Sequence, residues 1–251
     1  EQTYTFTDRG DREVTLRPEM TPTVARMVAA RKRELAFPLR WYSIPNLFRY
    51  EQPQRGRLRE HWQLNVDIFG VDTIDAEVES IALGAAIMKN LGATEKDYCI
   101  KINNRKTVNY ILSSHLGLDD TQSHAVSKLI DRKDKMSAAD FETQVHAAIG
   151  DKAATLVAVI KSSSIDELSN ALGKNDIPGL AELDETMRKL SALGITNVVF
   201  SPTLMRGFDY YTGIVFEIFD LDPKNRRSIF GGGRYDDLLS LFGNEKVPAF
   251  G

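Results

Sequence analysis

The sequence predicts an α+β fold: an antiparallel β-sheet flanked by helices, with a helical domain inserted into it. Three observations lead to this prediction. Strand-type segments with hairpin-type links occur in residues 1–105 and 195–251. Almost continuous helix signals fill the stretch between them. No GxGxxG or GxxxxGK[ST] phosphate loop stands at a strand–helix junction, which argues against a doubly wound parallel sheet.

The first elements follow from turn and helix-start residues. A turn-type Asp-Arg-Gly-Asp cluster at 8–11 separates segments 3–7 and 13–17, which are therefore predicted to form a hairpin. Thr21 followed by proline is predicted to open a helix that runs to about Leu35. Threonine is a favoured N-cap, and proline fits the first helical position.

Two longer strands, over 40–50 and 62–70, are predicted to pair antiparallel because a short loop joins them. Since side chains alternate along a strand, the second strand has two different faces. Its apolar face holds Trp62, Leu64, Val66 and Ile68, and its polar face holds Gln63, Asn65 and Asp67. The sequence therefore predicts that the two strands share one polar face of the sheet, which carries Arg49, Glu51, Gln63 and Asp67. Taken alone, the pattern also fits a solvent-facing sheet surface with an Arg49–Glu51 salt bridge.

The remaining elements are predicted from periodicity and chain breakers. In chain order they are a helix from Asp75 to Gly92, a strand over 97–102, helices between 104 and 193, strands over 197–200 and 213–219, a short segment over 227–230 and a helix over 236–242. Asp75 is the predicted cap of its helix, and Gly92 is the predicted stop.

The composition is that of a globular protein and limits its partners. The 251 residues are 42% apolar and 27% charged, with a formal net charge of −3. Since the chain is no polycation, any RNA contact needs a local basic patch. The candidate arginines are at 49, 55, 57 and 59, and the alternative is a solvated charged loop. The lone cysteine, Cys99, excludes an internal disulfide framework and a thiolate zinc site.

The sequence predicts a cytoplasmic protein without membrane contact. No apolar run reaches the roughly 18 residues of a membrane span, and no signal-peptide pattern is present at the N-terminus. Both ends read as cut, because the chain begins without Met inside a strand-type segment and stops without a polar tail. We therefore expect a fragment of a longer protein.

Two motifs near the C-terminal end carry most of the functional information. Residues 206–212 read Arg-Gly-Phe-Asp-Tyr-Tyr-Thr, and residues 231–236 read Gly-Gly-Gly-Arg-Tyr-Asp. Such residues are typical of a pocket in which backbone approaches a ligand closely and rings flank a small polar group. Residues 16–21 read Leu-Arg-Pro-Glu-Met-Thr, where Glu19 alone also fits a helix-dipole role and Thr21 an N-cap.

These motifs together resemble a known family. The segments that carry the resemblance are 16–21, Phe-Arg-Tyr-Glu at 48–51, Gly-Arg at 56–57 with Gln63 and Asp67, then 206–211 and 232–236. The first of them resemble the catalytic core of class II aminoacyl-tRNA synthetases, whose motif 2 is Phe-Arg-x-Glu followed by a loop and a strand. The last two narrow the resemblance to histidyl-tRNA synthetases. It covers residues 1–105 and 197–251, and the helical middle matches that family's insertion domain in position and character.

The resemblance implies a two-step reaction. L-histidine and ATP form histidyl-adenylate and pyrophosphate, and the histidyl group then passes to the 3′ end of tRNA(His). Because the substrate carboxylate is already ionised at neutral pH, the first step needs fixed cations rather than a general base. The resemblance assigns that catalytic role to Arg49, facing the α-phosphate, and to Arg206, near the substrate carboxylate and the α-phosphate. Mg²⁺ accompanies the triphosphate, and no metal site made by the protein alone is implied.

The same resemblance assigns the binding residues. The histidine-binding set is Glu19, Met20, Thr21, Arg49, Gln63, Asp67, Arg206, Tyr210, Tyr211 and Tyr235. In it the ammonium acceptors are Glu19, Thr21 and Gln63. Asp67 and Tyr211 bond the two imidazole nitrogens, while Tyr210 and Tyr235 shape the pocket. The ATP-binding set is Arg49, Glu51, Arg57, Arg59 and His61. His61 stands where family members often carry an aromatic residue that stacks on adenine.

The resemblance also implies a domain organisation. Residues 1–105 are the first part of the catalytic core with motif 2, residues 106–194 the helical insertion domain, and residues 195–251 the second part with the histidine-specific motifs. Motif 1, motif 3 and the C-terminal anticodon-binding domain are not present in this chain. Since motif 1 supplies much of the family's dimer interface, a homodimer is expected of the longer protein.

Two other interpretations stay open. A histidine-binding regulatory subunit of histidine biosynthesis has a similar core and charges no tRNA, but it usually lacks the helical insertion. A pseudo-synthetase sensor domain fused to a kinase tends to have degraded histidine-pocket motifs. The helix signals over 104–193 and the intact Arg49, Glu51, Arg57 and Arg206 favour the ligase.

Overall fold

The computed structural model describes most of the chain as two compact units. The described ranges are 3–53, 56–133, 136–204, 210–225, 227–243 and 245–251. The first unit is formed by residues 1–72 and 236–251, and the second unit by residues 73–235. Each unit has its own sheets and its own buried apolar side chains.

Strands and helices follow one another along the chain, and most of the helices lie between residues 104 and 198. The strands are β1 (Thr5–Thr7), β2 (Glu13–Thr15), β3 (Leu39–Ser43), β4 (Asn46–Phe48), β5 (Glu60–Trp62), β6 (Asn65–Phe69), β7 (Tyr98–Asn104), β8 (Val198–Phe200), β9 (Ile214–Asp220), β10 (Ser228–Gly233) and β11 (Ala249–Phe250). The helices are α1 (Thr21–Arg31), α2 (Asp75–Asn90), α3 (Arg105–Asn109), α4 (Asp120–Arg132), α5 (Ala138–Ile149), α6 (Ala153–Lys161), α7 (Ile165–Leu172) and α8 (Leu180–Ala192). Within the described ranges, no helix has the length and apolar character needed to cross a membrane.

The first unit is built on an antiparallel sheet of order β11–β6–β3. β3 and β6 pair from Leu39 opposite Phe69 to Ser43 opposite Asn65, and β4 pairs antiparallel with β5. β1 and β2 form a hairpin. These pairings confirm the predicted hairpin and the antiparallel pairing predicted for segments 40–50 and 62–70. They place β6 in the middle of its sheet, where Asp67, Ile68 and Phe69 are buried.

Each of the two longer predicted strands is in fact two short strands. Proline has no N–H to donate, so Pro45 interrupts the ladder between β3 and β4. Its carbonyl instead accepts a hydrogen bond from Gln63 N, 3.1 Å away, in the gap between β5 and β6. Alternation does not carry across such a gap, and the predicted apolar face is wrong there: Trp62 is 72% and Leu64 45% exposed.

Helix ends differ from the prediction in small ways. Thr21 is the first residue of α1 rather than its cap, because Met20 occupies the cap position without a side-chain hydrogen bond. Asp75 likewise begins α2, and Ile74 precedes it. α1 stops at Arg31 and continues only as a 3₁₀ turn to residue 34. The helix predicted over 236–242 is a 3₁₀ turn, Leu238–Leu241.

The second unit is built on a sheet of order β10–β9–β7–β8. β7 pairs parallel with β8, and the other pairs are antiparallel. Helix α2 packs closely on β9 and β10 through Gly84, since a Cβ there would lie 3.3 Å from the side chains of Ile218 and Phe230. The short segment predicted over 227–230 is part of a strand, β10, which runs from Ser228 to Gly233.

Helices α3 to α8 follow one another between residues 105 and 192, in agreement with the helix signals of the sequence. α8 returns to the sheet, where the Glu182 carboxylate accepts hydrogen bonds from Lys106 Nζ (2.6 Å) and Asn104 Nδ2 (3.0 Å). Burial raises the pKa of this carboxyl, but the hydrogen bonds outweigh it and hold the pKa below its ordinary value. Lys189 Nζ of α8 also contacts Asp75 Oδ1 at 2.7 Å, which ties α8 to the first turn of α2.

Gly70 ends β6 with a φ of +85°, and its N–H donates to Pro248 O at 2.7 Å. A Cβ at this position would lie 2.7 Å from Phe37 Cδ1. We expect Gly70→Ala to lower the free energy of unfolding by about 2–3 kcal/mol, of which about 1 kcal/mol is left-handed backbone strain and the rest displacement of the Phe37 ring. Gly56→Ala is the matched control, because Gly56 has a φ of +74° but no heavy atom within 4 Å of an added Cβ. Equal losses for both variants in denaturant unfolding would contradict this account.

Candidate functional site

A buried carboxylate on β6 is the most distinctive polar group of the first unit. Asp67 is only 1% exposed and pairs with Trp41 of β3 in the sheet register. Asn65 Nδ2 donates to Asp67 Oδ2 at 2.6 Å, and Thr21 Oγ1 lies 3.4 Å from Asn65 Oδ1. The carboxylate must accept, so the network fixes which end of the Asn65 amide faces it. The Asp67 side chain is thereby held in a fixed orientation inside the first unit.

Arg49 follows β4 and is fixed by neutral oxygens. Its Nε donates to Pro18 O at 2.8 Å, and its Nη2 lies 3.5 Å from Gln63 Oε1. The first contact comes from the Pro-Glu-Met-Thr turn, so two sequence motifs meet at one guanidinium. Glu51, the alternative partner considered for Arg49, contacts Arg57 instead, with Oε2 and Nη1 3.4 Å apart. A guanidinium oriented by a carbonyl keeps its charge for an anionic ligand.

The remaining arginines predicted to bind ATP stand around Glu51 and Tyr50. Arg59 Nε donates to Glu51 O at 3.0 Å, and its guanidinium carbon lies 4.7 Å from the centre of the Tyr50 ring. Arg57 and Arg59 are exposed, as a phosphate-binding role requires. Arg55 lies outside the described residues.

Three more of the predicted binding residues lie on β5 and before α1, and their described contacts do not indicate a ligand. They are His61, Glu19 and Met20. His61 is half-buried on β5 opposite Leu47, and its Nδ1 is buried without a hydrogen-bond partner in the described part of the chain. Glu19 is half-buried in the turn before α1. Met20 is the residue at the helix cap, and its carbonyl accepts from Val24 N at 3.1 Å.

Three tyrosines form a cluster in the second unit. The Tyr210 ring meets Tyr211 and Tyr235 edge-on, at centroid distances of 5.1 and 5.9 Å. Tyr235 is fully buried, whereas Tyr210 and Tyr211 are half-buried. We call these three residues the tyrosine cluster. It brings together the predicted pocket residues of both C-terminal motifs.

The glycine triplet serves close approach within the protein. A Cβ on Gly231 would lie 2.4 Å from Phe216 O, and a Cβ on Gly233 would lie 3.0 Å from the Tyr211 ring. The sequence predicted that backbone here approaches a ligand. The described contacts show that it approaches a neighbouring strand and a ring of the tyrosine cluster, so the absence of a side chain at Gly233 lets the Tyr211 ring lie close to β10.

Sequence reasoning did not assign roles to three residues that the structure places at these sites. Asn65 holds Asp67, and Glu77 of α2 forms a buried ion pair with Arg234 of the second C-terminal motif. Alternation did show Asn65 beside Asp67 on one face. No local pattern connects Glu77 with Arg234, which are separated by 157 positions. Arg206 lies outside the described residues.

No group of three or more His, Cys, Asp and Glu side chains in the described ranges is arranged to hold a metal ion.

Comparisons with known proteins show which family the chain resembles. The family model of histidyl-tRNA synthetase matches residues 1–251. A histidine–tRNA ligase of Leptospira biflexa is 45% identical over 100% of this chain and 58% of its own length. A histidine–tRNA ligase of Picrophilus torridus is 40% identical over 100% of this chain and 59% of its own length. The chain thus spans about three fifths of the curated relatives it matches.

Solved structures carry the same fold. A Bacillus halodurans protein described as an ATP phosphoribosyltransferase regulatory subunit/histidyl-tRNA synthetase superposes with a TM-score of 0.82 at 26% identity, over 99% of this chain and 65% of that chain. This likeness confirms the predicted α+β fold class. With the family model matching from end to end, the chain belongs to the histidyl-tRNA synthetase family.

Proposed function

We propose that the protein containing this chain is a histidine–tRNA ligase. It activates L-histidine with ATP to histidyl-adenylate, releases pyrophosphate, and transfers the histidyl group to the 3′ end of tRNA(His). The observation that carries the proposal is the buried Asp67 carboxylate, held by Asn65 in a chain of this family. A fixed, buried carboxylate can accept a hydrogen bond from an imidazole N–H, and apolar side chains offer no such donor.

The residues of histidine recognition are proposed from the family resemblance. Glu19, Thr21 and Gln63 accept hydrogen bonds from the ammonium group, and Asp67 accepts from one imidazole nitrogen. Tyr211 bonds the other nitrogen, and the rings of Tyr210 and Tyr235 shape its surroundings. Their edge-on packing supports this role, because it leaves each ring one preferred orientation.

Activation is electrostatic. The histidine carboxylate attacks the α-phosphorus of ATP, and the bond to the bridging oxygen of the leaving pyrophosphate breaks. No proton is transferred, so the barrier is charge repulsion and the charge that builds on the α-phosphate. Arg49, oriented by Pro18 O, faces that phosphate, and Arg206 acts on the substrate carboxylate and the same phosphate. Mg²⁺ arrives with ATP and offsets the charge of the pyrophosphate.

The ATP side and the assembly are proposed from the family resemblance. Glu51, Arg57 and Arg59 hold the adenine and triphosphate end, and His61 stands at the adenine-stacking position. Residues 1–105 and 195–251 form the catalytic core, with 106–194 as an inserted helical domain. We propose a cytoplasmic homodimer for the full-length protein.

Arg206→Ala tests the assigned catalysis in the full-length protein. We expect histidine-dependent ATP–pyrophosphate exchange to fall by about 10² to 10³-fold, because removing one fixed cation from a developing charge costs about that much. The fold should be retained, and thermal unfolding checks this. Exchange at the wild-type rate in a folded variant would remove Arg206 from the catalytic set.

A second candidate is a histidine-binding regulatory subunit without tRNA charging. The Bacillus halodurans neighbour supports this second candidate, because its description names both a regulatory subunit and a synthetase. Charging of tRNA with labelled histidine separates the two. Formation of histidyl-tRNA supports the ligase, and histidine binding without charging supports the regulatory subunit.

A further inference from the structure

We infer that Arg234, through its buried ion pair with Glu77, is a positioning residue that fixes the tyrosine cluster for histidine recognition. The inference rests on the proposed function, since it names what holds Tyr211 and Tyr235 in place. All of the contacts that carry it lie within the second unit.

The ion pair between Arg234 and Glu77 is bidentate. Arg234 Nε donates to Glu77 Oε1 and Arg234 Nη2 donates to Glu77 Oε2, each at 2.5 Å. Arg234 Nη2 also donates to Thr73 O at 2.9 Å. Arg234 is only 5% exposed and Glu77 only 1%. Parallel hydrogen bonds to both carboxylate oxygens fix the plane of the guanidinium as well as its position.

Such a pair is poorly explained by stability alone. Desolvating two charges offsets most of their attraction, and well-packed apolar residues of similar volume often stabilise as well or better. What apolar residues do not reproduce is the fixed orientation of a planar fork. The geometry therefore points to orientation as the contribution of this pair.

The backbone of Arg234 joins the two parts of the tyrosine cluster. Its carbonyl accepts from Thr212 N at 2.7 Å, directly after Tyr211, and its N–H donates to Ile214 O at 2.9 Å. Tyr235 follows Arg234 in the chain. If the Arg234 side chain loses its contact with Glu77, the backbone of Arg234 shifts. Tyr211 and Tyr235 then move with it, because Thr212 N donates to Arg234 O and Tyr235 is the next residue.

The surroundings of the Arg234 stem leave little freedom. A Cβ on Gly213 would lie 3.0 Å from Arg234 Cδ, so the stem packs directly on the backbone next to Thr212. Glu77, which holds the guanidinium, lies in the first turn of the regular helix α2. Recognition groups placed by rigid elements keep their geometry, and a shift of about 1 Å is enough to lose much of their effect.

The test compares two variants of the full-length protein by calorimetric binding of histidine and of ATP. Arg234→Lys keeps the charge but loses the fork, and we expect it to weaken histidine binding on the order of tenfold or more, with ATP binding changed less than about twofold. The double variant Glu77→Met/Arg234→Met removes both charges. We expect wild-type thermal stability from it, within about 5 °C, but histidine binding as weak as in Arg234→Lys.

The matched control is Lys161→Met, which breaks the exposed Lys161–Glu142 pair of α5 and α6, 2.9 Å apart. It should leave both affinities unchanged, as exposed pairs contribute little. Wild-type histidine affinity in Arg234→Lys overturns the inference. Recovery of histidine affinity together with stability in the double variant also overturns it, because the pair is then only structural.

Amide hydrogen exchange gives a readout that needs no ligand. Arg234→Lys should speed exchange of the amides at 212–214 on the order of tenfold, while those of β7 stay protected. If the wild-type protein binds no histidine, the proposed function fails, and these rates still decide whether Arg234 positions the segment. Unchanged rates at 212–214 count against the inference.

Discussion

Arg49→Ala in the full-length protein lowers histidine-dependent ATP–pyrophosphate exchange by about 10² to 10³-fold. The reason is that the guanidinium is held by Pro18 O and lies beside Gln63, so its charge is fixed before the phosphate arrives. A preorganised cation facing developing charge contributes on that order, because it does not reorganise during the reaction. Exchange rates with saturating histidine and ATP measure the loss.

Arg49→Lys is the matched variant. Lysine keeps the charge but has a single head group, which serves either Pro18 O or the phosphate. We expect it to recover only about a tenth of the lost rate or less. If the alanine variant keeps exchange within about fivefold of wild type, Arg49 is not the residue that stabilises the α-phosphate.

Asp67→Asn weakens histidine binding by about 30- to 10³-fold, with ATP binding little changed. The substitution conserves shape and removes the charge from a buried carboxylate that accepts from Asn65. Asparagine brings an amide N–H₂ where the imidazole N–H and the Asn65 amide both need an acceptor, and an unpaired buried donor costs about 1–3 kcal/mol, or more where a charged group is involved. Calorimetric binding of histidine and ATP separates the two ligands.

Asn65→Ala is the control for this effect. It leaves the Asp67 charge and removes one hydrogen bond to it, so we expect a loss of about tenfold or less. Near-equal losses of histidine and ATP affinity in Asp67→Asn would indicate a general distortion of the first unit, and would count against Asp67 as the imidazole acceptor.

The sequence predicted the pairings of the first unit well, and the reason is local. A short loop between two strand-type segments leaves antiparallel pairing as the simplest geometry. Pro45, which breaks the first segment, was visible in the sequence, and its missing N–H explains why β3 and β4 are separate. The exposure of Trp62 and Leu64 was not predicted, because alternation was carried across the gap before β6.

The burial of Asp67 could not be predicted from the alternation of side chains along the strand. Alternation placed Asp67 on a polar face, which in many antiparallel sheets faces solvent. Its position in the central strand of the β11–β6–β3 order, with Asn65 beside it, is a tertiary property. The Glu77–Arg234 pair has the same origin, since its partners are far apart in sequence and meet only when α2 packs on β9 and β10.

The central claim is that this site activates histidine and no other amino acid. The most direct measurement is amino-acid-dependent ATP–pyrophosphate exchange by the full-length protein, run with each of the 20 standard amino acids. Exchange with histidine alone is the predicted result. Absence of exchange from a folded protein that still binds histidine would contradict the claim, and would make Arg49 and Arg206 remnants in a regulatory paralogue.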